Sequence, residues 1–218
     1  MIILFWLSFA LLSMVFFVTL FNFFTAPLIA RSLPLKSTPK VSVLVPARNE
    51  AENIGRCLKG LQHQNYPDFE IIVLNDHSTD ETPEIVQSLA KSDNRIKLVH
   101  GEDLPDGWFG KNWACHQLSK AASGDILIFT DADNQHAPYA VRNSVAWMQD
   151  LNLGLLSAFP QQKTETLVEK LVVPVMDLFV YGTLPLWATY FARHYSLAAA
   201  NGQWLAFTQE SYNTLNGH

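Results

Sequence analysis

ILIFTDADNQ, residues 126–135, runs a short apolar stretch straight into two carboxylates, Asp131 and Asp133. An unbroken apolar run of this length suits a strand covered on both faces. Asp is common where a strand gives way to a turn, so a plain turn is one reading. The other is a clamp for a charged ligand. Side chains two apart on an extended segment point to the same side. Two carboxylates facing together repel unless a proton or cation lies between them. Oxygen-only ligands suit Mg2+ or Mn2+, and such an ion bridges to a diphosphate.

Runs like ILIFT recur on both sides of it. VSVLV (41–45), FEIIVLND (69–76), RIKLV (95–99) and LGLLSAF (153–159) read as further strands. Helices are expected between them. Ile54, Cys57, Leu58 and Leu61 recur at helical spacing, as do Ile85, Val86 and Leu89. Asn49 with Glu52, and Ser78 with Glu81, stand at capping-box spacing, and Pro83 suits a first helical turn. Lys111 to Ala122 is expected to be helical and to break at Gly124, and Pro138 to Asp150 to form another helix. Strands alternating with helices define an α/β domain with a mostly parallel, Rossmann-like sheet. SLAAANGQWLAF suggests a strand with a turn or a strand pair, and TQESYNTLNGH a short helix ending near Gly217.

In an open sheet of this kind, ligands bind beyond the carboxyl ends of the strands. Three of these strands end in turns bearing carboxylates: PARNE (46–50), NDHSTD (75–80) and DADNQ (131–135). One such turn is ordinary capping; three on one edge make a candidate site.

The rest of the chain is organised around that domain. Residues 1–30 contain no Asp, Glu, Lys or Arg and exceed the roughly 20 apolar residues that span a bilayer. A cleaved signal peptide fits less well, because no basic residue follows Met1 and the apolar region is too long. An N-terminal transmembrane anchor over 1–30 is therefore expected, then a Pro-containing linker over 31–40. Arg31, Lys36 and Lys40 follow before any acid, which places the domain on the cytoplasmic side of the cell (inner) membrane. A second apolar stretch, 171–192, is interrupted by two prolines, Gly182 and Asp177. It is expected to lie at the membrane interface, with a buried core helix as the alternative. The domain expected to carry the site is 41–218.

Composition narrows the function. Net charge is −5 with no dense basic run, so nucleic acid is not expected as a partner. Cys57 and Cys115 lack CxxC spacing and read as buried thiols. No GxGxxG follows the first strand and no GxxxxGK[ST] occurs, which argues against dinucleotide and P-loop sites. HExxH is absent, and His136 reads as a surface polar residue. A dehalogenase-type phosphatase carries its DxD on the first strand, whereas here the DAD ends the fourth. A nucleotidyltransferase would show a Gly-rich basic loop after the first strand, which PARNEAEN does not supply.

The ordered set PARNE, NDHSTD, GK and DAD resembles family 2 glycosyltransferases of the GT-A fold. The resemblance runs from about Val41 to Asp133, with a weaker echo at NGQWLAFTQESYNTLNGH. WFGKNWAC and the two apolar stretches are similar to membrane-bound members, including hopanoid-associated and carotenoid glycosyltransferases. The resemblance implies metal-dependent, inverting transfer from a nucleotide-diphosphate sugar, with uridine as the family-level expectation. The acceptor is then a lipid or membrane-associated molecule. It also implies residue roles. Glu50 and Asp76 would hold base and ribose, Pro46 and Ala47 would wall the base, and Lys111 would lie near ribose or phosphates. Asp131 would sit near the sugar or ribose and share the metal with Asp133, its main ligand. Asp80 would serve only as a helix cap. The family's general base follows a Gly-Gly-His-like stretch, on an acidic pair. LNGH at 215–218 is where this sequence stops, so the base is expected beyond His218 and the chain reads as C-terminally truncated. Glu210 reads as an ordinary first-turn acid. The alternative is a non-catalytic nucleotide-sugar-binding membrane protein or an inactive fragment.

Overall fold

The computed structural model describes residues 1–186, 188 and 200–217. The end of the apolar stretch 171–192 and the start of SLAAANGQWLAF lie partly outside the described residues. The chain divides into two units, Met1–Leu28 with Gln161–Ala199, and Ile29–Pro160 with Ala200–His218. Residues 161–199 group with the N-terminal helix, a grouping that strand periodicity does not reveal.

The larger unit is built on six strands: β1 (Val41–Ala47), β2 (Phe69–Asn75), β3 (Ile96–His100), β4 (Ile126–Thr130), β5 (Leu155–Ser157) and β6 (Trp204–Thr208). Their order is β3-β2-β1-β4-β6-β5. β3, β2, β1 and β4 are parallel neighbours. β6 runs antiparallel to both β4 and β5. Interleaved are α2 (Ile54–Gln62), α3 (Thr82–Ser92), α4 (Gly110–Ala121), α5 (Ala140–Leu151) and, after β6, α7 (Gln209–Leu215); α1 (Ile2–Thr25) and α6 (Leu167–Thr183) belong to the other unit.

Alternation along the strands sends side chains to opposite faces, and each face has its own core. Val41, Val43 and Val45 pack with Ile54, Cys57, Leu58 and Leu61 of α2 and with Val141, Val145 and Met148 of α5. Leu44, Ile72, Leu74 and Phe129 pack with Ala114, Cys115 and Leu118 of α4 and Tyr212 of α7. Helices therefore cover both faces, which is why the strands carry unbroken apolar runs.

The expected linker 31–40 is pinned to this unit. Gln149 Oε1 accepts from Lys36 N at 2.9 Å, Gln149 Nε2 donates to Ser37 O, and Tyr66 Oη donates to Pro39 O at 2.6 Å. The two expected capping boxes do not form. α2 begins only at Ile54 and α3 at Thr82, neither with a side-chain cap at its N-terminus. Pro83 does take its place in the first turn of α3. The fifth strand is shorter than LGLLSAF, because Leu153 N still bonds to Met148 O at the end of α5.

In the smaller unit, α1 is 24 residues long, and among the described residues it alone is long and apolar enough to cross a membrane. Its Asn22 is buried and serves the end of α6: Nδ2 donates to Tyr181 O and Leu184 O, both at 2.7 Å, and Oδ1 accepts from Leu186 N. These are carbonyls that a helix end leaves unpaired. A side chain at Gly182 would meet Val15 Cγ1 at 2.8 Å, so glycine there permits the close approach. α6 starts with a complete capping box between Thr166 and Glu169. Its Leu171, Val175, Met176 and Phe179 are exposed.

Candidate functional site

The strand order reverses between β1 and β4: β2 and β3 lie to one side of β1, and β4 to the other. Such a switch point opens a crevice at the carboxyl ends of the strands. A cleft of about 190 Å³ lies there, lined among others by Pro46 at the end of β1, Lys111 and Cys115 of α4, Thr130 and Asp131 at the end of β4, and Gly202 before β6. It is smaller than the 300–1,000 Å³ typical of whole-ligand pockets, so a larger ligand would extend onto the neighbouring loops. β6 supplies its beginning rather than its end because it runs antiparallel, with Trp204 opposite Thr130.

The PARNE and NDHSTD loops beside the cleft are stitched together. Asn49 N donates to Ser78 Oγ, and Asn49 Oδ1 accepts from Thr79 N at 2.8 Å. Glu50 N donates to Thr82 Oγ1 at 2.8 Å, and Ala51 N to Asp80 Oδ2 at 3.0 Å. Asp80 Oδ1 also accepts from Thr82 Oγ1 at 2.6 Å, so Asp80 joins two loops instead of merely capping a helix. Those hydrogen bonds, Thr82 foremost, hold its carboxyl below the usual range. Asn49 and His77 both adopt left-handed backbone, at φ 56° and 53°. Asn tolerates that conformation because its short amide bonds locally. The same residues that mimic capping boxes in the sequence are spent on this cross-loop seam.

The expected site residues fall into two groups. Pro46, Lys111 and Asp131 share the cleft. Ala47 is buried, and its carbonyl accepts from Asp76 N at 2.8 Å. Asp76 is 18% exposed, with Arg48 Nη1 at 3.8 Å from Oδ2. Glu50 Oε2 accepts from Asn53 Nδ2. Lys111 Nζ lies 2.6 Å from Asp131 Oδ1. Asp133 is exposed and has no ion pair or hydrogen bond among the described residues, and Ala132 between the two acids is buried. The acids share one neighbourhood, as the Cys57 thiol registers. Burial, then the charges of Asp133, Glu50 and Asp131, push it up to about 12.

His136 is not the surface residue expected. Its ring packs against Trp204 at 5.2 Å between centroids and its Nε2 lies 3.6 Å from Cys57 Sγ, beneath the DAD turn. Burial lowers it to about 4, so it is neutral at physiological pH. Asn134 was not singled out by the sequence, yet its Nδ2 donates to Gln203 O at 2.7 Å and ties the turn to the start of β6. Its place directly after DAD was the available signal. Glu210 is exposed in the first turn of α7. That helix starts where β6 ends, at the level of Ile126, the edge of the sheet opposite the cleft. Glu210 is therefore remote from any reaction at Asp131.

Among the described residues, no three His, Cys, Asp or Glu side chains converge as a ready-made metal cage. The donor set still fits Mg2+ or Mn2+ of the substrate-completed kind, which takes one or two carboxylates and fills its remaining positions with phosphate oxygens and water.

Residues 42–174 match the family model described as Glycosyl transferase family 2. The chain belongs to that family, and its sheet has the GT-A fold expected from the resemblance. It is 36% identical over 129 residues to the 4,4'-diaponeurosporenoate glycosyltransferase of Staphylococcus haemolyticus, over 57% of this chain and 33% of that protein. It is 39% identical over 98 residues to the GalNAc(5)-diNAcBac-PP-undecaprenol beta-1,3-glucosyltransferase of Campylobacter jejuni, over 44% of this chain and 30% of that one. The chain thus spans about a third of the length of these curated relatives. Among solved structures, a mannosyltransferase from Pyrobaculum calidifontis in complex with GDP-Man and Mn2+ aligns with a TM-score of 0.64 at 25% identity. That alignment covers 96% of this chain and 57% of the mannosyltransferase.

Proposed function

We propose that this chain carries the donor-binding half of an inverting glycosyltransferase, which moves a sugar from a nucleotide diphosphate to a lipid or membrane-associated acceptor. The carrying observation is the cleft at the β1/β4 switch point, with Lys111 and Asp131 in it and the stitched PARNE and NDHSTD loops beside it. Glu50 and Asp76 accept hydrogen bonds from base and ribose, Pro46 and Ala47 wall the base, and Asp131 approaches ribose or sugar. The loop seam holds these groups in place before the ligand arrives, which reduces the ordering cost of binding. Asp133, with Asp131, would hold Mg2+ or Mn2+, which offsets the charge growing on the leaving diphosphate. An acceptor hydroxyl attacks the anomeric carbon in line, and a general base takes its proton.

A lipid acceptor is supported by the names of both relatives and by the length and composition of α1. Arg31, Lys36 and Lys40, the first charges after the apolar helix, support a cytoplasmic position for the α/β unit. UDP is the first donor nucleotide to try, and GDP the second, since the solved mannosyltransferase holds GDP-Man. Thermal unfolding tests the site. The nucleotide and Mn2+ together are expected to raise the melting temperature more than either alone, and Asp133→Ala to lose the metal-dependent part. An equal shift in wild type and variant overturns the metal assignment. Radiolabelled sugar appearing in the lipid fraction separates an enzyme from a non-catalytic binder.

A further inference from the structure

Asp131 and Asp133 differ in a way their shared motif hides. Asp131 is engaged by the chain's own ammonium at 2.6 Å, whereas Asp133 has no ion pair or hydrogen bond among the described residues. We propose that Lys111 is the resident counter-cation of Asp131 and leaves it for the donor's diphosphate when metal and donor bind. This rests on the donor-site reading above.

The geometry leaves Lys111 room to move. It stands in the first turn of α4 with 57% of its side chain exposed, and Asp131 is 26% exposed. Gly202 also lines the cleft, and even an added Cβ there would stand 4.0 Å from Nζ, ordinary van der Waals distance, so the ammonium is not hemmed in on that side. Lysine is a compact charge on a flexible four-carbon stem, free to follow its partner. The nearby Arg48–Asp76 pair is looser, at 3.8 Å.

Charge then decides the order of events. Taken by themselves, Asp131, Asp133 and Lys111 carry a single negative charge. A divalent cation turns that into a single positive charge, which attracts a diphosphate. Without the ammonium the same site is doubly negative, and a divalent cation only neutralises it. Lys111 therefore opposes the metal when it comes alone and favours the diphosphate once the metal is there. Its effects on the two ligands have opposite signs, and it makes metal and donor bind together.

The test is titration of the full chain in detergent with Mn2+ alone, followed by electron paramagnetic resonance of the free ion, and then with UDP or GDP at saturating Mn2+ by calorimetry. Lys111→Met is expected to bind Mn2+ alone roughly two- to fivefold tighter, the range set by losing an exposed ion pair. It is expected to bind the nucleotide about tenfold weaker, through loss of a charge-assisted hydrogen bond. Lys111→Gln should do the same, and Lys111→Arg should retain wild-type order. Unchanged or weaker Mn2+ binding in Lys111→Met and Lys111→Gln overturns the proposal while wild-type nucleotide binding leaves the donor site standing. If the wild type binds neither nucleotide with Mn2+, the donor-site reading falls and this proposal with it.

Discussion

Glu70 is a heavily committed buried side chain of the larger unit. It is 5% exposed, and its carboxylate accepts from Ser42 Oγ, Ser123 N, Ser123 Oγ and Lys97 Nζ. Burial alone would raise its pKa, but the bonds from Lys97, Ser123 and Ser42 outweigh burial and hold it at about 2, below the ordinary 4.5. A carboxyl depressed by folding contributes stability that is complete above about 4.5 and is lost as pH falls toward about 2. Glu70→Gln is expected to cost about 1–3 kcal/mol at neutral pH, the scale of a charged hydrogen bond lost in a buried place. Denaturant melts at pH 7 and pH 3 check it: the variant should lose less stability on acidification than the wild type. None of this was legible in FEIIVLND, where Glu70 looks like an accidental charge in an apolar run. Gly124 teaches the same lesson. Read as a helix breaker, it is in fact a point of backbone contact, where a Cβ would lie 2.5 Å from Ser42 N and 2.9 Å from Lys40 O. Both residues act through partners far away in sequence, and a single sequence does not name those partners.

Elements were more legible than their edges. β4 falls at 126–130 and α4 within one residue of the expected span, because apolar periodicity records burial and burial is what the elements share. The helix starts failed where short polar residues had two uses. Asn49 and Ser78 have the right spacing for capping boxes, but the same chemistry serves equally to join two loops. That joint matters to the candidate site, which supplies a prediction. Asp80→Ala releases Ala51 N and Thr82 together. Amide exchange at both positions is expected to quicken, and nucleotide affinity in the presence of Mn2+ to fall several-fold, since the loops must then be ordered by the ligand. The sheet itself should melt almost as before. Exchange rates left unchanged would refute the role given to the seam. The cleft was legible as an edge, from three acidic turns. Its far wall was not, because Gly202 arrives just ahead of an antiparallel strand that no local pattern orients.

At the scale of the whole chain, apolar length marked α1 and the stretch that follows Leu171, but not that α6 falls in one unit with α1. Two of the residues that join the helices are Asn22 and Gly182, neither of which stands out in an apolar context. The grouping carries a prediction about solubility. Deleting residues 1–28 leaves Leu171, Val175, Met176 and Phe179 of α6 exposed. Contiguous exposed apolar surface of that kind drives association. The shortened chain is therefore expected to sediment without detergent, and changing those four residues to serine to return it to the supernatant. A freely soluble deletion would contradict the exposure of α6. The order of the sheet also has a consequence for biosynthesis. Among the described residues β5 has only β6 beside it, and the outer edge of β4 waits for β6 as well. All of 161–199 is translated between β5 and β6. For an interval on the order of seconds the nascent chain carries a bare β4 edge and an unmated β5. Such edges recruit foreign strands, so the ribosome-bound intermediate is the stage most exposed to mispairing, and the cleft is complete only once the segment carrying Gly202 and β6 has arrived.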